Sequence, residues 1–334
     1  MGTKRVGVLM GGASAEREVS LRSGRAVAAA LEHAGHEVVA LDLSDLRTAF
    51  NDIQAADIDA AFLTLHGRFG EDGCVQGMLE LLQIPYTGSS VMASALAMDK
   101  LKSKELFRLY NVPTPPYYVY DSKAGTNLIE AHGSFGFPVI VKPRREGSSI
   151  GIMRVNGAER LSQAVDAAKQ YDRHVLVERF ITGTEVAVAV LDGRVLGAIE
   201  IVPKSGVYDF AAKYTPGMTD YFMPARLPST RYRGVLNLAA RAAAALDVSG
   251  AARVDVLVTP GQNEYVLEVN TLPGMTPTSL LPKIAEAAGY SFSDLCEAIL
   301  RGATLHAAQN EAAPQVEQPA ASSTEAAEPL RVAV

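Results

Sequence analysis

Apolar positions open the chain as a short run over residues 4–10, which predicts a strand leading into Gly11-Gly12-Ala13-Ser14. Next, Val27, Ala30, Leu31 and Ala34 recur at i, i+3, i+4 and i+7, one face of a helix that Gly35 closes. Two more apolar runs, over 38–43 and 60–66, predict further strands. A strand, helix, strand opening predicts a small doubly wound α/β domain that receives ligands at the C-terminal ends of its strands. Three polar features fall at such ends: Gly11-Gly12 with Glu16, His66-Gly67, and Tyr86-Thr87-Gly88. The pattern turns helical over 92–110 and stops at Asn111-Val112-Pro113, as at a junction between domains.

Strands are predicted over 117–120, 138–143, 151–155 and 174–180, with a helix on Leu161, Ala164, Val165 and Ala168. Residues 144–151 join two of these strands through Glu146-Gly147-Ser148-Ser149, offering N–H groups and hydroxyls to a phosphate. An ordinary polar hairpin explains that loop equally well. Another hairpin is expected over 184–191 and 195–202, turning at Asp192-Gly193. Residues 203–224 then lose all periodicity, and a structureless stretch of that length predicts a lid. A helix on Val235, Leu238, Ala239, Ala242 and Leu246 follows, and a last one is expected from Leu280 to about Leu300. Expected domain bounds are 1–96, 97–180 and 181–303. The remaining segment, 304–334, is rich in Ala, Glu, Pro, Gln and Ser and is expected to be disordered.

Between those two helices lies the stretch with the most chemistry. Two β-branched runs flank Pro260-Gly261-Gln262-Asn263, predicting a hairpin in which Thr259 pairs with Glu264. That register sets Asp255 opposite Glu268 and Arg253 opposite Asn270, with Val254, Val256 and Val258 on the other face. Facing acids repel, so a positive group should lie between them. Asp, Glu and Asn supply only oxygen, which suits Mg²⁺ and not zinc. A solvated outer face is the ordinary fate of one Asp/Glu pair. The neighbouring Arg, Asn and Thr-Leu-Pro-Gly turn favour a metal site.

Composition narrows the classes. The net charge of −6, half of it on the tail, leaves no basic footprint for nucleic acid. Cys74 and Cys296 fit neither a disulfide framework nor a metal-ligand spacing. No apolar run approaches the ~18 residues that cross a membrane, and the start lacks a signal-peptide core. A cytoplasmic protein is expected. Neither Gly-x-Gly-x-x-Gly nor Gly-x-x-x-x-Gly-Lys-Ser/Thr occurs, so dinucleotide and P-loop readings lose their main support.

Taken in order, several stretches resemble the D-alanine–D-alanine ligases, a branch of the ATP-grasp family. They are the segment from Gly11 to Ser20, Leu65-His66-Gly67 with Gly70-Glu71-Asp72-Gly73, Tyr86-Thr87-Gly88-Ser89, and Met98-Asp99-Lys100. Val141-Lys142-Pro143, Glu146 to Ser149, Ala212-Lys213-Tyr214, Arg253-Val254-Asp255 and Glu268 to Thr276 continue the match. The resemblance spans roughly residues 4 to 300. It implies three α/β or α+β domains, with ATP clamped between the last two. It also implies phosphorylation of one D-alanine carboxylate, attack by the amine of a second, and release of D-alanyl-D-alanine, ADP and phosphate for peptidoglycan precursors.

The same resemblance implies roles. Asp255, Glu268 and Asn270 would hold two Mg²⁺ (or Mn²⁺), with Glu268 bridging. Lys100, Lys142, Ser149, Glu178, Glu185 and Lys213 would bind ATP. Arg253 and the N–H of Gly274 would form the oxyanion hole, while Glu16, Ser148 and Tyr214 would anchor the first D-alanine. Val19, His66, Ser279 and Leu280 would touch substrate, the last two holding the second carboxylate. Lys213-Tyr214 favours an amine over a hydroxyl nucleophile, and the relatives are usually dimeric. Another ATP-grasp carboxylate–amine ligase, or a D-alanine–D-lactate ligase, is the alternative.

Overall fold

The computed structural model describes residues 2–204, 206, 208, 212, 213, 215, 217–261 and 263–307. Tyr214 and the tail beyond 307 lie outside them. Among the described residues three sheets form. The first is parallel, in the order β2-β1-β3, built from β1 (Arg5–Met10), β2 (Glu37–Asp42) and β3 (Ala60–Leu63). Helix α1 (Arg17–His33) makes the crossover that two parallel neighbours require. The third strand ends at Leu63, short of the apolar run to residue 66. There Thr64 donates its hydroxyl to the Leu9 carbonyl at 2.9 Å and the chain turns through Gly67 at φ 67°.

Two predicted helices are each two. Residues 92–110 divide into α4 (Val91–Met98) and α5 (Lys100–Leu109), after α2 (Ala49–Ala55) and α3 (Cys74–Leu82). Asp99 makes the break, because its carboxylate accepts from the Lys102 N–H at 3.2 Å and caps the second helix. The C-terminal run likewise stops at Ala287 and restarts at Phe292, where Ser291 and Asp294 form a capping box. Periodicity alone does not show such breaks, since the apolar face stays in phase across them.

The second sheet is antiparallel, β4-β7-β5-β6, from β4 (Tyr117–Asp121), β5 (Val139–Pro143), β6 (Met153–Val155) and β7 (His174–Arg179). The third runs β10-β9-β8-β11-β12, from β8 (Thr184–Leu191), β9 (Arg194–Pro203), β10 (Thr219–Phe222), β11 (Ala251–Val258) and β12 (Glu264–Asn270). Strand β10 lies inside the stretch expected to be structureless and pairs antiparallel with β9. Four residues are too few for alternation to show.

The first and third sheets do not have separate cores. Val6 and Val8 of β1 and Leu31 of α1 share one cluster with Ile199, Met275, Leu281 and Leu295. Gly88 and Gly250 seal a second junction, where a Cβ on Gly250 would lie 2.7 Å from Gly88 Cα. Residues 304–307, expected to belong to the disordered tail, instead close the edge of the first sheet. Tyr86 and Thr304 exchange backbone hydrogen bonds at 3.1 Å, and Glu80 accepts the His306 N–H at 2.9 Å.

The β11–β12 hairpin has the expected pairs, Arg253 with Asn270 and Asp255 with Glu268, but reaches them differently. Nearer the turn Val258, not Thr259, lies opposite Glu264. A bulge between Asp255 and Val256 then absorbs one residue of β12 and restores the register. Val254 and Val256 are completely buried and Val258 nearly so, each contributing on the order of 2 kcal/mol. That anchored face fixes the direction in which the charged face points.

Candidate active site

One cleft collects residues from the β11–β12 hairpin and from separate loops. Glu16, Val19, His66, Glu71, Gly147, Ser148, Lys213, Arg253, Glu268, Asn270, Gly274, Ser279 and Leu280 line it, with Tyr208, Thr276 and Thr278. Glu16 sits at the start of α1 but makes no side-chain cap there. Its buried carboxylate instead accepts a hydrogen bond from the Ser148 hydroxyl. Gly147 leaves room for it, since a Cβ there would lie 2.8 Å from Glu16 Oε2. Ser148 and Ser149 hold left-handed backbone at φ 46° and 60°, a strain of order 1 kcal/mol or more per residue. Left-handed backbone occurs in ordinary hairpin turns too, and it is the Ser148 bond to Glu16 that sets this loop apart from one.

Asp99 fixes this loop. Its Oδ1 accepts from Arg144 Nε at 2.6 Å and its Oδ2 from Arg145 Nε at 3.0 Å, while the Lys100 N–H donates to the Arg144 carbonyl. Lys100 is buried and gives its ammonium to the Glu146 carbonyl. Burial lowers its pKa, against the attraction of Glu268 and Glu178.

On the hairpin, Arg253 grips Asp255 with two bonds, Nε–Oδ1 at 2.7 Å and Nη2–Oδ2 at 2.8 Å. This is the positive group that the facing acids demand. Burial alone would ease Arg253's proton off, but the charge and hydrogen bonds of Asp255, together with the charges of Tyr208 and Glu268, outweigh it and raise the pKa. The Asn270 amide donates to Asp255 Oδ2 at 3.3 Å. Burial likewise works against a charged Glu268, yet Lys100, Lys213, Lys142 and Arg253 pull its pKa down to about 2. Glu268 is an anion in a ring of cations.

At the far end Ser279 precedes helix α9 (Leu280–Ala287), which follows α6 (Leu128–His132), α7 (Leu161–Ala168) and α8 (Ser229–Ala245). Its hydroxyl accepts the Thr276 N–H at 3.1 Å and leaves Gly274 no room for a side chain, whose Cβ would fall 2.7 Å away. The orphan N–H groups of a helix start favour a carboxylate. His66 is buried, which lowers its pKa, and its Nε2 has no hydrogen-bond partner among the described residues.

Lys100, Lys142, Ser149, Glu178, Glu185 and Asp255 do not line this cleft, although Lys100 borders an adjoining hollow with Glu268 and Asn270. Ser149 donates to the Tyr208 carbonyl at 3.3 Å. Glu178 is buried between Lys104 and Lys142, 2.8 Å from each. Glu185 lies on β8 opposite Leu257 of β11, where burial and then the charge of Asp255 raise its pKa to about 7.

Sequence reasoning passed over Glu71 and Asp99, although both lie in stretches that carried the resemblance. Glu71 accepts the Gly67 N–H at 2.7 Å, and burial followed by the charge of Glu16 raises its pKa from 4.5 to about 8. A glutamate four residues beyond a His-Gly turn was the available signal. The folded state therefore keeps a proton that the unfolded chain sheds above 4.5, and stability is lost as pH climbs from there to about 8. Glu71→Gln should remove that loss. Its melting temperature should gain on that of the unmodified protein through this window and level off above it. Thermal denaturation across the window checks this, and a gap that does not change with pH would mean Glu71 is already ionised.

Comparison with known proteins identifies the family. Residues 106–301 match the family model described as "D-ala D-ala ligase C-terminus" and residues 42–89 its N-terminal counterpart. A D-alanine--D-alanine ligase of Anaeromyxobacter dehalogenans is 53% identical over 304 residues, covering 91% of this chain and 98% of the relative. One from Geotalea uraniireducens is 50% identical over 307 residues, covering 92% and 98%. Among solved structures, the Bacillus anthracis D-alanine--D-alanine ligase complexed with ATP has TM-score 0.79 at 36% identity, covering 90% of this chain and 97% of the other. The VanG D-Ala:D-Ser ligase of Enterococcus faecalis has TM-score 0.77 at 30% identity, covering 90% and 99%.

Proposed function

This chain belongs to the D-alanine–D-alanine ligase family, and from that premise we propose how its residues divide the reaction. The enzyme joins two D-alanines with ATP through a D-alanyl phosphate, releasing ADP and phosphate, for cell-wall precursor synthesis. The observation that carries the division is that Arg253, Glu268 and Asn270 of the hairpin share one cleft with Glu16, Ser148 and Ser279 from three separate loops.

Glu16 receives the ammonium of the first D-alanine, and Ser148, whose hydroxyl donates to Glu16, completes the anchor with Tyr214. A carboxylate oxygen of that D-alanine attacks the γ-phosphorus and ADP departs. Lys100, Lys142 and Lys213 face the nucleotide's phosphates, Ser149 supports them from the loop, and Glu178 and Glu185 serve its adenosine. The amine of the second D-alanine, whose carboxylate rests on the Ser279 hydroxyl and the Leu280 N–H, attacks the acyl carbon. Arg253 and the Gly274 N–H hold the oxyanion until phosphate leaves. Val19 and His66 close the pocket, His66 as a neutral imidazole.

Two Mg²⁺ (or Mn²⁺) ions fit the hairpin. Glu268 is ionised there and presented to the cleft with Asn270, and Asp255 adds hard oxygens beside them. When bound, the ions would neutralise the phosphoryl group in transfer.

We also propose domain bounds at 1–96, 97–180 and 181–303, each range holding one sheet apart from the edge residues at 304–307. A homodimer finds support in Leu81 and Met92, exposed by 81% and 60% on packed helices α3 and α4. The need for ATP and two free cysteines support a cytoplasmic location.

ADP formation with D-alanine, compared with L-alanine, D-lactate and D-serine as second substrate, tests the assignment. D-alanine should be preferred and give the dipeptide, whereas preference for D-lactate would mean a hydroxyl nucleophile. Tyr214→Phe should lower dipeptide synthesis roughly tenfold with a smaller change in ATP binding. Equal loss in both would remove Tyr214 from the first D-alanine's anchor.

A further inference from the structure

Lys104 lies on α5, outside the cleft, with its side chain only 1% exposed. A buried ammonium is costly unless it is paired. Its Nζ is 2.8 Å from Glu178 Oε1 and 2.5 Å from Thr114 Oγ1, and 5.4 Å from the Tyr117 ring centre. Lys142 Nζ is 2.8 Å from the same Glu178 oxygen. Two ammoniums thus share one carboxylate in a buried cluster that keeps one positive charge over. If Lys104 were neutral, Lys142 would be the sole counter-ion of Glu178, and its charge would be cancelled.

We infer that Lys104 is a positioning residue for the nucleotide, one that occupies Glu178 so that Lys142 keeps its charge for the phosphates. This rests on the reading of Lys142 as a phosphate ligand. It accounts for a buried lysine outside the cleft, and for one oxygen carrying both ammonium contacts. Burial would raise the Glu178 pKa, but Lys104 and then Lys142 bring it below the ordinary carboxylate value, so the cluster holds an anion. Burial lowers the Lys104 pKa to about 8, against the pull of Glu178 and, at longer range, Glu268, and with the push of Lys142. Lys104 is therefore charged at neutral pH and loses its charge within an accessible range.

Calorimetric binding of ADP and of adenosine, which has no phosphates, separates this role from plain structural support. In Lys104→Met the ADP affinity should fall about tenfold, a shift of ~1.4 kcal/mol, with adenosine changed by less than about twofold. Lys104→Arg should keep the ADP-to-adenosine ratio. Should Lys104→Met not fold, the same ratio read in the unmodified enzyme should drop as pH rises through about 8. Equal weakening of both ligands, or none, overturns the inference. An unchanged ratio in Lys142→Met overturns the phosphate reading and the inference together.

Discussion

Glu268→Gln is expected to lower D-alanine-dependent ADP formation by about a thousandfold, the scale of losing several kcal/mol of phosphoryl-charge stabilisation. Two effects add. The hairpin would lose the negative charge proposed to hold metal, and the four surrounding cations lose the anion that holds them together. The second effect acts on the fold as well. Glutamine keeps the shape while removing the charge, so circular dichroism should report a native structure with a lowered melting temperature. Raising Mg²⁺ should recover little. A variant within about tenfold of full activity and with ordinary Mg²⁺ dependence would remove Glu268 from the metal set. Asp255→Ala is expected to be similarly inactive in phosphoryl transfer.

Arg253→Met should cost about a hundred- to a thousandfold in kcat, the usual result of removing an oxyanion donor. The geometry adds a second consequence. Arg253 makes both of its strongest bonds to Asp255, so its loss leaves a buried carboxylate unpaired, a penalty of about 3–5 kcal/mol. Arg253→Met combined with Asp255→Asn should recover much of that stability and none of the activity. The pair is therefore non-additive in denaturation while both variants stay inactive. Single-turnover assays place the Arg253 defect: acyl phosphate should form faster than dipeptide. If both steps fail equally, Arg253 serves phosphoryl transfer and not the acyl step.

The hairpin shows how much of the site the sequence carried. Alternation is enough to put Asp255 beside Glu268 and Arg253 beside Asn270, because register follows from turn and pleat. The route to it was not legible, since a bulge compensates a turn of different length. The Arg253–Asp255 pairing lies one step further off. Neighbours on the same face can turn toward the partner strand or toward each other, and only the packed environment decides between these. Glu71 was missed for a related reason: its burial and its proximity to Glu16 come from the meeting of distant segments, which no local spacing encodes. The helix break at Asp99 was written in the sequence, as a residue type that caps, but an unbroken apolar face concealed it.

The central claim is that one cleft performs a phosphoryl step and then an acyl step on the same carboxylate. It is tested most directly by supplying D-alanine labelled with ¹⁸O in its carboxylate and analysing the released phosphate by mass spectrometry. One labelled oxygen per phosphate, formed together with the dipeptide, is the expected result. Unlabelled phosphate alongside dipeptide would contradict it, because the carboxylate would then never have been phosphorylated.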